Sequence, residues 1–217
     1  MIEIFTVVKD AEDIIHFYID HYRTAFPDCI INIYDNNSSD DTVKICKEKG
    51  CNMFVFPEYT EFKLQELKNN VWKKSKADWV IVCDVDELLQ ITEEDLKRLP
   101  KSCNAISTKG YNMISNGPTT DWKSLTKGTH SHMYSKCIMF KPDSIKEINY
   151  CIGAHMCQPI PNFNYSKEVF KLLHYSKNYM CIENFKQSIL EKKPVLDMNY
   201  EYIYKELVTK YGIETVK

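Results

Sequence analysis

Apolar and polar positions along residues 1–89 follow two alternating periods. Glu3–Val8 (EIFTVV), Cys29–Tyr34 (CIINIY), Asn52–Phe56 and Trp79–Cys83 are short apolar runs rich in β-branched and aromatic residues. Such runs suit strands covered on both faces, as in a parallel sheet. Between them apolar residues return every three or four positions: Ile14, Ile15, Tyr18, Ile19 and Tyr22, then Val43, Ile45 and Cys46, then Phe62, Leu64, Leu67, Val71 and Trp72. That spacing predicts three helices. Pro27-Asp28 ends the first, Asp40 or Asp41 caps the second and Gly50 stops it, and the third spans Thr60–Lys76. The order β-α-β-α-β-α-β predicts a three-layer α/β/α sandwich with right-handed crossovers and a mostly parallel central sheet. It also brings the loops KDAED, DNNSSDD and DVDE, after Val8, Tyr34 and Cys83, to one edge of that sheet.

Beyond residue 89 the pattern changes. Asn104–Ser115 and Met133–Phe140 read as longer strands, with a Gly-, Thr-, Ser- and Lys-rich loop, Asn116–His132, between them. A loop of that length is more often functional than idle, and it is expected to close over a ligand. Cys151–Asn164 reads as irregular and Val169–His174 as a short strand. Asn178–Lys192 and Asn199–Tyr211 read as helices. There is no internal repeat or linker, so residues 1–217 are expected to form one domain.

The acidic turn DVDE changes the picture most. Carboxylates following a buried strand need a compensating partner. If the strand continues, Asp84 and Asp86 project to the same side and can hold a divalent cation such as Mg²⁺ or Mn²⁺. The end of a central strand is also where open α/β sheets place their ligands. The plainer alternative is a solvated turn, with Glu87 capping a following helix; for Glu87 the cap is preferred.

Composition adds exclusions. A net charge of −2, with Lys and Arg spread along the chain, gives no case for a nucleic-acid partner. No apolar stretch approaches the ~20 residues needed to span a bilayer. Met1–Asp13 reads as a strand entering a polar loop rather than a signal peptide. The nine cysteines include no C-x-x-C spacing, and Cys46, Cys83, Cys137 and Cys181 fall inside apparent elements. They are expected to be reduced core residues of a protein in a cytoplasmic, reducing compartment.

The element order, DNNSSDDT after the second strand, WVIVCDVDELL at the fourth and the late FKLLHY followed by Lys177 together resemble the GT-A glycosyltransferases. The likeness is to the family 2-type branch of bacteria and large DNA viruses, and it runs to about Lys192. The resemblance implies a nucleotide-binding half at 1–89, an acceptor-side half at 90–192 and a C-terminal helix within 193–217. It implies a metal-dependent, inverting transfer of a hexose from a nucleotide-sugar, a UDP-sugar foremost, to a saccharide or other hydroxyl acceptor. Asp84, Asp86 and His174 would hold Mn²⁺ or Mg²⁺ on the donor diphosphate. Val85 would lie against the donor and Lys177 would reach a phosphate oxygen. Asp35 would receive the base, framed by Thr6, Val7 and Lys9, and Gln65 and Asn69 would reach the ribose or sugar.

The catalytic base is less defined. Asp121, in the long loop, is placed first and His155, after Gly153, second; Asp143 and Glu147 are further carboxylates, Asp143 reading as a turn. The acidic pair that the family carries at a helix start is not assigned among these candidates, which leaves the base and the stereochemical outcome open. Two other readings stand beside the main one. A nucleotidyltransferase would need a Gly-rich basic loop after the first strand, where KDAED is acidic. A non-catalytic nucleotide-sugar-binding module would not need Asp84, Asp86 and His174 intact.

Overall fold

The computed structural model describes residues 1–114, 121–175 and 214–216. The first half alternates as its pattern dictates: β1 (Ile2–Val8), α1 (Ile15–Ala25), β2 (Ile30–Asp35), α2 (Thr42–Glu48), β3 (Asn52–Val55), α3 (Glu61–Asn70) and β4 (Trp79–Val82). β1 pairs in parallel with β2 on one side and β4 on the other, and β3 extends the sheet beyond β2. The order β3-β2-β1-β4 therefore reverses direction at β1, which opens a crevice beyond the C-terminal ends of β1 and β4.

Side chains divide between the two faces of this sheet. Ile2, Ile4, Ile81 and Cys83 pack with Ile15, Tyr18, Ile19 and Tyr22 of α1. Phe5, Val80 and Val82 pack with Trp72, just beyond α3. Both faces are covered, as uninterrupted apolar strands require. Asp40 Oδ1 accepts from Thr42 N (3.0 Å) at the start of α2, and Gly50 follows it at φ +65°.

The second half comprises β5 (Glu87–Leu89), α4 (Glu93–Arg98), β6 (Ala105–Ile114), β7 (Lys127–Ser131), β8 (Met139–Phe140), β9 (Tyr165–His174) and β10 (Glu214–Thr215), with single 3₁₀ turns at Trp122–Ser124, Pro142–Ser144 and Ile152–Ala154. β8 pairs antiparallel with β4 and so joins this half to the parallel part. β6 pairs with β7, β8 and β9, and β9 also pairs with β5.

Four expectations change here. The strand expected at Met133–Phe140 is only Met139–Phe140, and Lys127–Ser131, within the expected loop, is a further strand on β6. Its alternation is masked by Gly128 and polar residues that are nonetheless buried, among them Thr129 and Ser131. No helix follows the acidic turn directly. Glu87 opens β5, and the next helix, α4, has Thr92 as its N-cap, where Thr92 and Asp95 form a capping box. The end of the expected C-terminal region is a strand, β10 on β7, with Val216 buried in the core. The two helices expected at Asn178–Lys192 and Asn199–Tyr211 lie outside the described residues, as do Lys177 and Cys181.

Gly110 on β6 lets another segment come close. A methyl group there would overlap the Tyr134 carbonyl and lie 2.6 Å from Ser135 N. Backbone cannot yield as a flexible side chain can, so Gly110→Ala is expected to destabilise the fold by about 2–3 kcal/mol, measured by urea unfolding.

Candidate functional site

The crevice beyond β1 and β4 gathers the three polar loops. KDAED and DNNSSDD hydrogen-bond to each other: Ser39 N donates to Asp10 Oδ1 (2.7 Å), Asp10 N to Ser38 Oγ (2.9 Å), Glu12 N to Asp40 Oδ2 (3.1 Å) and Asp41 N to Glu12 Oε2 (2.9 Å). Asp10 and Asn37 adopt positive φ, as tight Asx-rich turns permit. The carboxylates of these two loops are thus used to satisfy backbone N–H groups. Lys9 donates to the Asn37 carbonyl and lies 3.4 Å from Asp10, so it ties the first loop to the second.

DVDE is held from behind by α1. Tyr18 OH lies 3.2 Å from Cys83 Sγ, and Tyr22 OH donates to Glu87 O (3.0 Å) while accepting from Leu89 N (3.3 Å). Burial pushes the Cys83 thiol up to about 12, which makes it an inert packing group. β4 ends at Val82, and Asp84–Asp86 lies in a turn. The strand alternation that would point Asp84 and Asp86 the same way therefore does not apply.

The two aspartates meet different partners. Asp84 Oδ1 is 2.6 Å from Lys68 Nζ of α3, and Asp84 Oδ2 is 3.7 Å from Lys136 Nζ. Burial opposes the Asp84 charge, but the Lys68 and Lys136 ammonium groups outweigh it and hold the carboxyl far below the usual range. Lys136 Nζ also sits 2.7 Å from Glu87 Oε1; both side chains are buried, and the contact is ionic though off the hydrogen-bonding angle. Burial opposes the Lys136 charge, and Glu87 and Asp84 restore it and raise its pKa.

Asp86 faces His174. Strand register explains how a residue so distant in sequence arrives there. On β9, His174 stands opposite Glu87 of β5 and Asn112 of β6, and Tyr175 N donates to Asp86 O (2.7 Å). Asn112 Oδ1 accepts from His174 Nδ1 (2.9 Å), which leaves Nε2 directed at Asp86 Oδ2, 3.4 Å away. The Tyr134 ring stacks on the imidazole with centroids 3.7 Å apart. An Nδ1 bonded to an amide oxygen and an Nε2 free for ligation is the usual support of a metal-binding histidine. Two ligand atoms at right angles on a cation with ~2.1 Å bonds are about 3 Å apart, close to the separation seen. Asp86 and His174 therefore fit a divalent cation. Among the described residues no group of three or more His, Cys, Asp or Glu side chains forms a metal cage, and Asp84 is committed to lysines. A cation here would draw its other ligands from substrate and water, a common arrangement for Mg²⁺ on phosphates.

The remaining expected residues fall in three groups. Thr6 and Val7 line a small hollow with Phe5, Tyr34, Leu67 and Lys68, and Val85 packs at the edge of the core. Asp35, next to Tyr34, accepts Ser38 N on both carboxylate oxygens (3.2 Å each), so it also shapes the turn. Gln65 Nε2 and Asn69 Nδ2 both donate to Tyr150 O (2.8 and 3.3 Å), and Asn69 Oδ1 accepts from Tyr150 N (2.7 Å). Those two side chains fasten the segment around Tyr150 to α3 instead of extending toward a sugar.

Of the candidate bases, Asp121 precedes the turn in which Trp122 Nε1 donates to Asp13 O (2.9 Å). His155 Nδ1 lies 3.2 Å from Met133 O, and its ring meets Tyr134 edge-on. Tyr134 thus touches both His155 and His174. Asp143 lies in the 3₁₀ turn Pro142–Ser144, and Glu147 pairs with Lys73 at 2.6 Å.

Sequence reasoning missed Lys68, Lys136, Asn112 and Tyr134. Lys68 alone carried a signal, because it shares a helical stripe with Leu64, Leu67 and Val71 where an apolar residue is expected.

No family model matches the chain, and no curated protein matches it in sequence. The chain is similar to solved glycosyltransferases of the GT-A type. Against S. aureus TarS 1–349 the identity is 12%, covering 80% of this chain and 60% of that one, at a TM-score of 0.47. Against TarS 1–349 in complex with UDP the values are 11%, 94%, 71% and 0.49. Against glucosyl-3-phosphoglycerate synthase from Mycobacterium tuberculosis, in complex with Mn²⁺, UDP and glucosyl-3-phosphoglycerate, they are 15%, 51%, 44% and 0.36. The chain thus spans less than two thirds of the first and last of these proteins. Its own architecture is a mixed α/β sandwich whose first four strands run parallel.

Proposed function

We propose that this chain is a metal-dependent, inverting glycosyltransferase that moves a hexose from a UDP-sugar to a hydroxyl of a saccharide or similar acceptor. The observation that supports it most is the delivery of His174 beside Asp86 at the mouth of a topological switch point, with Nε2 turned toward the carboxylate. A divalent cation bound there, Mn²⁺ or Mg²⁺, supplies positive charge to the departing diphosphate. Asp86 and His174 hold it, and Asn112 and Tyr134 fix the imidazole plane. Thr6, Val7 and Tyr34 frame the nucleoside, and Asp35 accepts the uracil imide N–H. Lys177 completes the phosphate contacts. His155 takes the acceptor proton: burial and the nearby Lys136 charge lower its pKa, which keeps the imidazole neutral and able to accept.

The test is incubation with a panel of nucleotide-sugars and Mn²⁺, following release of nucleoside diphosphate with and without EDTA. Release from one UDP-sugar, abolished by EDTA, is expected; release from none, under conditions where the protein is folded, would contradict the proposal. Asp35→Ala is expected to weaken UDP about tenfold relative to ADP, the scale of one lost charge-assisted hydrogen bond, read by calorimetry. Equal losses for both nucleotides would make Asp35 a turn residue alone.

A further inference from the structure

The reaction as proposed gives no contact with the donor to the two buried lysines at the acidic turn, Lys68 and Lys136, each 4% exposed. They are held differently. Lys136 is fixed from two sides, its ammonium at Glu87 and its backbone carbonyl accepting from Thr108 Oγ1 (2.7 Å). Lys68 stands on α3 with its ammonium 2.6 Å from Asp84 Oδ1, and its side chain also lines the hollow shared by Thr6, Val7 and Tyr34. Its side chain therefore borders the place proposed for the nucleoside while its ammonium pairs with Asp84.

We propose that Lys68 is a resident counter-ion, which neutralises Asp84 in the free protein and moves its ammonium to the donor diphosphate when a divalent cation enters beside Asp86. The proposal rests on the nucleotide-sugar reading above. Its logic is competition for one carboxylate. The Asp84 side chain is 36% exposed and lies against two ammonium groups, so its charge favours a positive partner in each state. A dication held by Asp86 and His174 supplies one and repels the ammonium already there. The diphosphate arriving with the cation offers the displaced ammonium a new anion, and the flexible four-carbon stem of lysine lets the group swing without moving α3. Lys136 stays in place, because Glu87 holds it independently of Asp84. The exchange keeps Asp84 paired in both states and makes cation and donor binding cooperative.

The exchange predicts opposite effects of one substitution. In Lys68→Met the side chain keeps its length and loses its charge, so Mn²⁺ alone meets one ammonium fewer at Asp84, where only Lys136 remains. Calorimetry with Mn²⁺ alone is expected to show about tenfold tighter binding than wild type, and UDP at saturating Mn²⁺ about tenfold weaker binding, each the scale of one partly buried charge contact. Lys68→Gln serves the same purpose should the methionine variant not fold, with thermal unfolding as the check. Unchanged or weaker Mn²⁺ binding by a folded variant would overturn the competition, and unchanged UDP binding would overturn the transfer to the diphosphate. A wild-type protein that binds Mn²⁺ but no nucleotide would overturn the nucleotide-sugar reading, while the Mn²⁺ comparison would still decide whether Lys68 competes for Asp84.

Discussion

Lys136→Met is expected to remove about 3–5 kcal/mol of stability, the cost of leaving a buried carboxylate without its counter-ion. Glu87 is fully buried, and its Oε1 lies 2.7 Å from the Lys136 ammonium. Its Oε2 accepts from Asp84 N (3.2 Å), so the same carboxylate also shapes the turn that carries Asp84 and Asp86. A loss of this size is a large fraction of the 5–15 kcal/mol that holds an ordinary domain together. The penalty belongs to the orphaned charge rather than to the pair itself. Joining Lys136→Met with Glu87→Leu should therefore restore most of the loss. Urea unfolding of the two single variants and the double variant forms the cycle that measures it. A single-variant cost below about 1 kcal/mol, the range of exposed ion pairs, would mean that water reaches the pair.

Asp86→Ala and His174→Ala are each expected to lower turnover about 10²–10³-fold, the usual consequence of losing charge stabilisation at a departing group. The two should be far from additive, because one cation needs both. Asp84→Ala should behave differently. Its carboxylate is bound to lysines, so its loss should reduce stability as well as turnover. Parallel initial rates and thermal melts on the three variants separate these outcomes. Should Asp86→Ala retain more than half of the wild-type rate, the cation would have to be placed elsewhere.

Much of this arrangement was legible in the sequence, for identifiable reasons. The parallel half follows from period alone, since strands covered on both faces read as unbroken apolar runs and their order fixes which loops share an edge. The acidic turn was visible because carboxylates interrupt an apolar run abruptly. His174 was visible only through the resemblance of FKLLHY, since nothing local to a strand end distinguishes a ligand from a core imidazole. Its alignment with Asn112 and Glu87 depends on β9 lying between β5 and β6, a non-local pairing that no window of sequence contains.

The misreadings share a cause. β5 is three residues long, too short to show a period, so Glu87 read as a helix cap when it is a buried strand residue. On α3 the apolar set placed Phe62 inward, but Phe62 is 71% exposed and the buried residue is Lys68. That face of the helix looks onto charged groups of the site, and the rule that apolar stripes face the core fails where the core gives way to chemistry. Gln65 and Asn69 share a helical face as spacing predicts, but what they meet is the Tyr150 backbone, set by a segment 85 and 81 residues away from them in the chain.

The central claim is that one divalent cation sits between His174 and the donor diphosphate. Pulsed electron paramagnetic resonance of the protein loaded with Mn²⁺ and UDP tests it directly, because Mn²⁺ senses both nitrogen and phosphorus in its coordination shell. The account predicts an imidazole nitrogen coupling and a phosphorus coupling on the same ion, with the nitrogen signal lost in His174→Ala. A phosphorus coupling with no nitrogen coupling in the wild-type protein would show a cation carried by the nucleotide alone, and would contradict it.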